Sequence, residues 1–104
     1  MSTPHLVRDR IDSFPTRTIA GFGVRAGRTA PLGATLVPGG VNFAIFSGRA
    51  SAVSVVLFRI GENEPMAEIP IPDDFRIGRV WSITVFGLSY EDIEYGFRAQ
   101  GPEA

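Results

Sequence analysis

The chain is 104 residues long, with 44% hydrophobic residues, 20% charged residues and a formal net charge of −1, a size and balance that suit one soluble domain with a single core. The near-neutral balance excludes the concentrated basic surface that nucleic acid requires, and no apolar run reaches the ~18 residues needed to span a bilayer. Cysteine is absent, which also excludes disulfides, thiolate nucleophiles and Cys-ligated metal centres.

The ten basic residues are all arginine and are unevenly placed. Residues 1–30 hold Arg8, Arg10, Arg17, Arg25 and Arg28 against Asp9 and Asp12, whereas the acids dominate the remainder. The polar, proline-punctuated residues 1–16 read as a flexible N-terminal arm, and the basic N-terminal stretch as solvated, or docked on its own acidic body or on a partner. No apolar signal core is present, so the expected location is the cytoplasm; Asp9 and Asp12 count against an organelle transit peptide. Residues 17–104 form the domain, and Thr18 to Val24, apolar-alternating around Gly21 and Gly23, is expected to lie as an edge strand.

From Gly40 onward the pattern becomes one of strands over 41–47, 52–60, 67–71, 79–86 and 93–99, rich in Val, Ile and Phe and separated by Gly, Pro, Asn and Asp. No window carries a sustained 3.6-residue apolar repeat. The fold class is therefore all-β, and the spacing suits an immunoglobulin-like antiparallel β-sandwich. Pro65, Pro70 and Pro72 remove backbone donors and send the 67–71 strand to a sheet edge.

Alternation assigns Val41, Phe43, Ile45, Val53, Val55, Leu57, Trp81, Ile83, Val85, Ile93, Tyr95 and Phe97 to the core face. On the opposite face Ser54, Thr84, Glu94 and Arg98 are expected to be wet. Phe46, Val56, Phe58 and Ile60 fall on that side too. An apolar outer patch marks a domain-docking face, unless the N-terminal arm folds over it.

Catalytic chemistry finds little support. The single histidine, His5, lies in the arm, so no nucleophile has a base beside it, and no metal-ligand or calcium-loop pattern occurs. Gly21-Phe22-Gly23 with Gly27 lacks the following helix that a phosphate-binding loop requires. The acids Glu62, Glu64, Asp73, Asp74, Glu91, Asp92 and Glu94 sit in turns or on a solvent face, where hydration explains them; glycosidase chemistry needs two opposed carboxyl groups held by a larger scaffold. No catalytic residue, metal or cofactor is assigned. Sugar recognition needs an exposed flat aromatic, for which the candidates are Trp81, Tyr90 and Phe75. Alternation places Trp81 in the core, while Tyr90 and Phe75 fall in turns, where packing and ligand contact are equally open.

One ordered frame remains. Pro31-Leu32-Gly33-Ala34-Thr35, Gly40-Val41-Asn42-Phe43-Ala44-Ile45-Phe46-Ser47, Leu57-Phe58, Val80-Trp81, Gly87-Leu88 and Tyr95-Gly96-Phe97-Arg98 with Gly101-Pro102 together resemble the isoamylase-type N-terminal domain of carbohydrate-binding module family 48, from about Gly27 to Pro102. The resemblance implies a non-catalytic β-sandwich preceding the glycoside hydrolase family 13 barrel of a glycogen- or starch-debranching enzyme. A (β/α)₈ barrel takes about 250 residues, so catalysis is expected outside this chain. The implied partners are that barrel, with the apolar face as its seat, and α-glucan such as glycogen or starch. Glucan-binding members of the family, such as the β subunit of AMP-activated kinase, carry a Trp after the second main strand. Here Arg59-Ile60-Gly61-Glu62-Asn63 stands in its place, and Ser82 replaces the family's usual His after Val-Trp. These departures weigh against direct sugar binding more than against the fold. The expected role is a docking module with at most weak glucan contact; the alternatives are a free-standing α-glucan-binding module and an immunoglobulin-like protein-interaction domain.

Overall fold

The computed structural model describes residues 14–101. Among these residues nine strands run in chain order: β1 Arg17–Ile19, β2 Phe22–Ala26, β3 Gly33–Val37, β4 Gly40–Phe46, β5 Ala52–Arg59, β6 Ala67–Pro70, β7 Arg76–Ile77, β8 Val80–Phe86 and β9 Ile93–Gln100, with single 3₁₀ turns at Asp73–Phe75 and Tyr90–Asp92. They form two antiparallel sheets, one ordered β1-β2-β8-β4-β3 with β7 on β8, the other ordered β6-β5-β9. The all-β sandwich read from alternation is what the chain adopts.

The five strands expected from Gly40 onward all form. The expected Thr18–Val24 strand is instead a hairpin, β1 on β2, closed by Ala20 at φ 54° and Gly21 at φ 86° with Ile19 paired to Phe22. That is the two-residue primed turn, disguised because alanine holds the position where asparagine usually signals it. β3 was not expected, since its segment is flanked by Pro31 and Pro38. An edge strand tolerates such flanks, and β3 is the edge beside β4. β6 lies at an edge as its prolines require. Ile71 N–H donates to Val53 O at 2.8 Å, so the paired residues that exchange hydrogen bonds are the odd ones, and Pro70 turns its missing donor away from β5.

Val41, Phe43, Val53, Val55, Leu57, Trp81, Ile83 and Val85 fill the space between the sheets, joined by Val24, Ile69, Ile71 and Phe75. Phe43, Tyr95 and Phe97 form an edge-to-face cluster with centroids 5.3–6.4 Å apart. Tyr95, read as core, is 40% exposed, and Ile45, Ile93 and Phe97 are only partly buried. For the three β9 residues the reason lies in the sheet widths: β9 ends the narrower sheet, so its inward side chains are open at the side; Ile45 stands next to the end of β4.

Because β2 pairs with β8 and β3 with β4, the chain between them must pass across the outside of both central strands. Gly27 makes this close approach: a Cβ there would stand 2.6 Å from Asn42 Oδ1 and 2.6 Å from the Ile83 nitrogen. Asn42 serves the crossing backbone as a strand would. Its Oδ1 accepts from Arg28 N–H at 2.8 Å and from Thr84 Oγ1 at 3.0 Å, and its Nδ2 donates to Arg28 O at 3.0 Å. Thr84, expected to be wet, is consequently buried along with Asn42 and Ser82; alternation assigned its face correctly but cannot see that a neighbouring segment covers it. Ser54 is half-buried, while Glu94 and Arg98 are exposed.

Most of the N-terminal arm lies outside the described residues. Its last part runs beside β2, with Thr16 N–H donating to Val24 O at 2.8 Å and Phe14 O accepting from Arg25 Nη1 at 2.9 Å. Arg17 then clasps Asp74 through both guanidinium Nη atoms and lies over the Phe75 ring, its Cζ 4.7 Å from the centroid.

Two outcomes are expected. Asn42→Ala strands the Arg28 N–H and C=O and should cost about 2–4 kcal/mol, read from the urea midpoint; Asn42→Asp, which turns a carboxylate toward the Arg28 carbonyl, should cost more. The Arg17 guanidinium holds the Asp74 carboxyl below its ordinary range, chiefly by hydrogen bonding, and the carboxylate holds Arg17 above its own. A lowered carboxyl pKa stabilises the fold above the ordinary value of about 3.9, and that stabilisation is lost as pH falls through the lower folded value. Acidification below about pH 4 should therefore shift the amide signals of Arg17, Thr18 and Phe75 together, a transition absent from Asp74→Asn, with little change in melting because the pair is exposed.

Candidate functional site

The three candidate sugar-binding aromatics part company in the structure. Trp81 is fully buried, with the Arg76 guanidinium over its ring at 5.1 Å. Phe75 is buried beneath Arg17. Neither ring has a face available to a ligand. Tyr90 is 41% exposed and stands in the 3₁₀ turn that leads into β9.

Tyr90 lines an open cleft of about 860 Å³ between that turn, the start of β9 and the end of β5. Tyr95 and Ile60 supply further apolar surface, and Glu62, Asn63, Glu91 and Glu94 the polar groups. Register explains the convergence, since Phe58 faces Glu94 and Leu57 faces Tyr95 across the β5–β9 ladder, while Ile60 N–H bonds Asp92 O at 3.3 Å and draws the two turns together. Among the described residues, three carboxylates and no basic side chain line the cleft, an electrostatic setting that disfavours anions. Aromatic faces beside an amide and carboxylate acceptors suit a neutral polyhydroxylated ligand. Sequence reasoning picked out Tyr90 but placed Tyr95 in the core and assigned no role to Asn63; neither residue carries a local signal, because their meeting depends on the β5–β9 register.

The four residues of the expected docking face do not share one surface. Phe46 lies on β4 in the wide sheet, whereas Val56 and Phe58 lie on β5 in the narrow one and Ile60 just beyond it. These are opposite outsides of the sandwich. Val56 is buried, beside the ion pair in which Arg98 reaches across β5 to Glu68 at 2.6 Å. On the wide sheet Phe46 pairs with Val80, and Val80 with Ile77. Phe46 is 57% exposed and Ile77 is exposed as well, so the three make a continuous apolar row. Ile77 was missed because β7 has only two residues and no readable alternation. On the other outside, Ile60 is 57% exposed and stands between the Tyr90 cleft and a second cleft of about 750 Å³ that includes Phe22, Met66 and Leu88.

The family model of carbohydrate-binding module 48, the isoamylase N-terminal domain, matches residues 31–104. The isoamylase SU1 of Zea mays chloroplasts is 43% identical over 82 residues, covering 75% of this chain and 10% of that protein. The glycogen debranching enzyme of Klebsiella pneumoniae strain 342 is 36% identical over 77 residues, 74% of this chain and 11% of its own length. Among solved structures, the apo pullulanase of Paenibacillus barengoltzii superposes with a TM-score of 0.60 at 24% identity, covering 76% of this chain and 12% of that one. The same pullulanase in complex with maltohexaose and α-cyclodextrin gives a TM-score of 0.58. The chain thus spans about a tenth of the length of the relatives it matches. On the family-model match and the identity to these debranching enzymes, the chain belongs to the carbohydrate-binding module 48 family, the isoamylase N-terminal domain.

Proposed function

We propose that this chain is the non-catalytic N-terminal module of a debranching enzyme that cleaves α-1,6 branches of glycogen or starch, docked on the (β/α)₈ catalytic barrel through an apolar outer surface. The observation that carries the reading is the row Phe46–Val80–Ile77 on the wide sheet, exposed at Phe46 and Ile77 and half-buried at Val80, since large apolar side chains grouped on the outside of a filled sandwich are the mark of a covered surface. The relatives' far greater length supplies the partner. Calorimetric titration of the chain against the K. pneumoniae glycogen debranching enzyme lacking its matching segment should give one-to-one binding. Ile77→Asp, an exposed site outside the core, should weaken that binding at least tenfold, about 1.4 kcal/mol, with unchanged melting. Absence of binding heat would remove the docking role.

The Tyr90 cleft favours a second, subordinate activity: weak contact with an α-glucan chain, the tyrosine rings covering apolar sugar faces and Asn63 with the carboxylates meeting hydroxyls. Such a contact replaces the missing Trp of the family's glucan binders with residues from the β9 side. Titration with maltoheptaose should move the amide signals of Asn63, Tyr90 and Tyr95 with millimolar affinity, and Tyr90→Ala should abolish the response. Shifts confined to other residues would place the contact elsewhere.

A further inference from the structure

We propose that the outer edge of β9 receives an additional β-strand from the catalytic polypeptide of the debranching enzyme, completing the narrow sheet; this rests on the docking reading above and adds to the Phe46–Val80–Ile77 row a second contact on the other sheet. The two sheets are unequal. One has five strands side by side and the other three, and among the described residues β9 pairs only with β5. The Ile60–Asp92 hydrogen bond sets the phase of the β5–β9 ladder. Glu94, Gly96 and Arg98 exchange hydrogen bonds with Phe58, Val56 and Ser54, so Ile93, Tyr95, Phe97 and Ala99 turn their N–H and C=O groups toward the open edge.

The ground beneath that edge is apolar. Leu36 on β3 pairs with Val41 and so points to the core side, yet it is 64% exposed, and Tyr95 is half-exposed above the same strand, its hydroxyl 3.4 Å from where a Gly33 Cβ would stand. A strand added about 4.8 Å beyond β9 would lie over β3 and cover both side chains. Of the other edges, β3 has only five residues against the eight of β9, and β6 and β1 are guarded in ways that block addition. β6 has four residues and ends at Pro70, whose donorless nitrogen faces outward; β1 has three residues and is clasped by Arg17 to Asp74. β9 runs eight residues without proline or lysine. The incoming strand is therefore an extended segment, apolar on the alternate residues that meet Leu36 and Tyr95, and polar on the others beside Glu94 and Arg98.

Amide hydrogen exchange tests this. In the chain alone, the amides of Ile93, Tyr95, Phe97 and Ala99 should exchange at least a hundredfold faster than those of Glu94, Gly96 and Arg98. Short overlapping synthetic peptides tiling the unmatched remainder of the K. pneumoniae enzyme are then added in turn. At least one should slow the Tyr95 and Phe97 amides about threefold or more and lose that effect against Ala99→Pro, which deletes an outward donor and leaves the β5 ladder whole. Protection of the outward amides in the chain alone would show the edge already paired and overturn the proposal, and so would a complete tiling without effect. Either result with the calorimetric docking intact would sink strand addition by itself, whereas loss of the calorimetric signal removes the docking role on which it rests.

Discussion

The passage of residues 27–32 across the two central strands is the constraint on which the wide sheet depends. A connection between β2 and β3 must traverse β8 and β4, and a backbone laid on a sheet face leaves its polar groups out of water without ladder partners. Asn42 resolves this by presenting an acceptor and a donor in the arrangement of a peptide group, and Thr84 anchors the amide from the neighbouring strand. The crossing also explains why the wide sheet buries polar side chains on its outside, and why its apolar row is confined to the end marked by Phe46 and Ile77.

A second constraint is the inequality of the sheets. Three strands cannot cover five, so the side chains at the β9 and β3 margin remain open although they point inward. The half-exposed rings of Tyr95 and Tyr90, the exposed Leu36 and the acidic cleft all collect near that margin. Core and function are thereby separated: the largest fully buried aromatic, Trp81, serves packing, and the surface available to ligand or partner is built from residues that incomplete cover leaves accessible.

Much of the fold was legible beforehand because β-strands announce themselves by a two-residue period and by glycine and proline at their ends. The five main strands, the edge position of β6 and the burial of Trp81 follow from that reading. The β1–β2 hairpin was hidden by the alanine in its turn, β3 by its flanking prolines, and β7 by its length. Of the candidate site, Tyr90 was legible as an aromatic in a turn, whereas its neighbours were not, for the cleft joins residues some thirty positions apart through strand register. The apolar face inferred around Phe46 and Phe58 failed as one surface for a related reason. Alternation tells which side of a strand a residue occupies, but not which sheet the strand joins.

The sequence by itself determined that this protein is a β-sandwich of the isoamylase N-terminal kind, because the apolar period and the frame of Gly, Pro and aromatic residues are local properties carried along the chain. Tertiary structure alone decided which sheet each strand entered, what crossed over Asn42 and Thr84, and which aromatics kept a face toward solvent. Those outcomes depend on pairings between distant segments, whose energies no local pattern encodes.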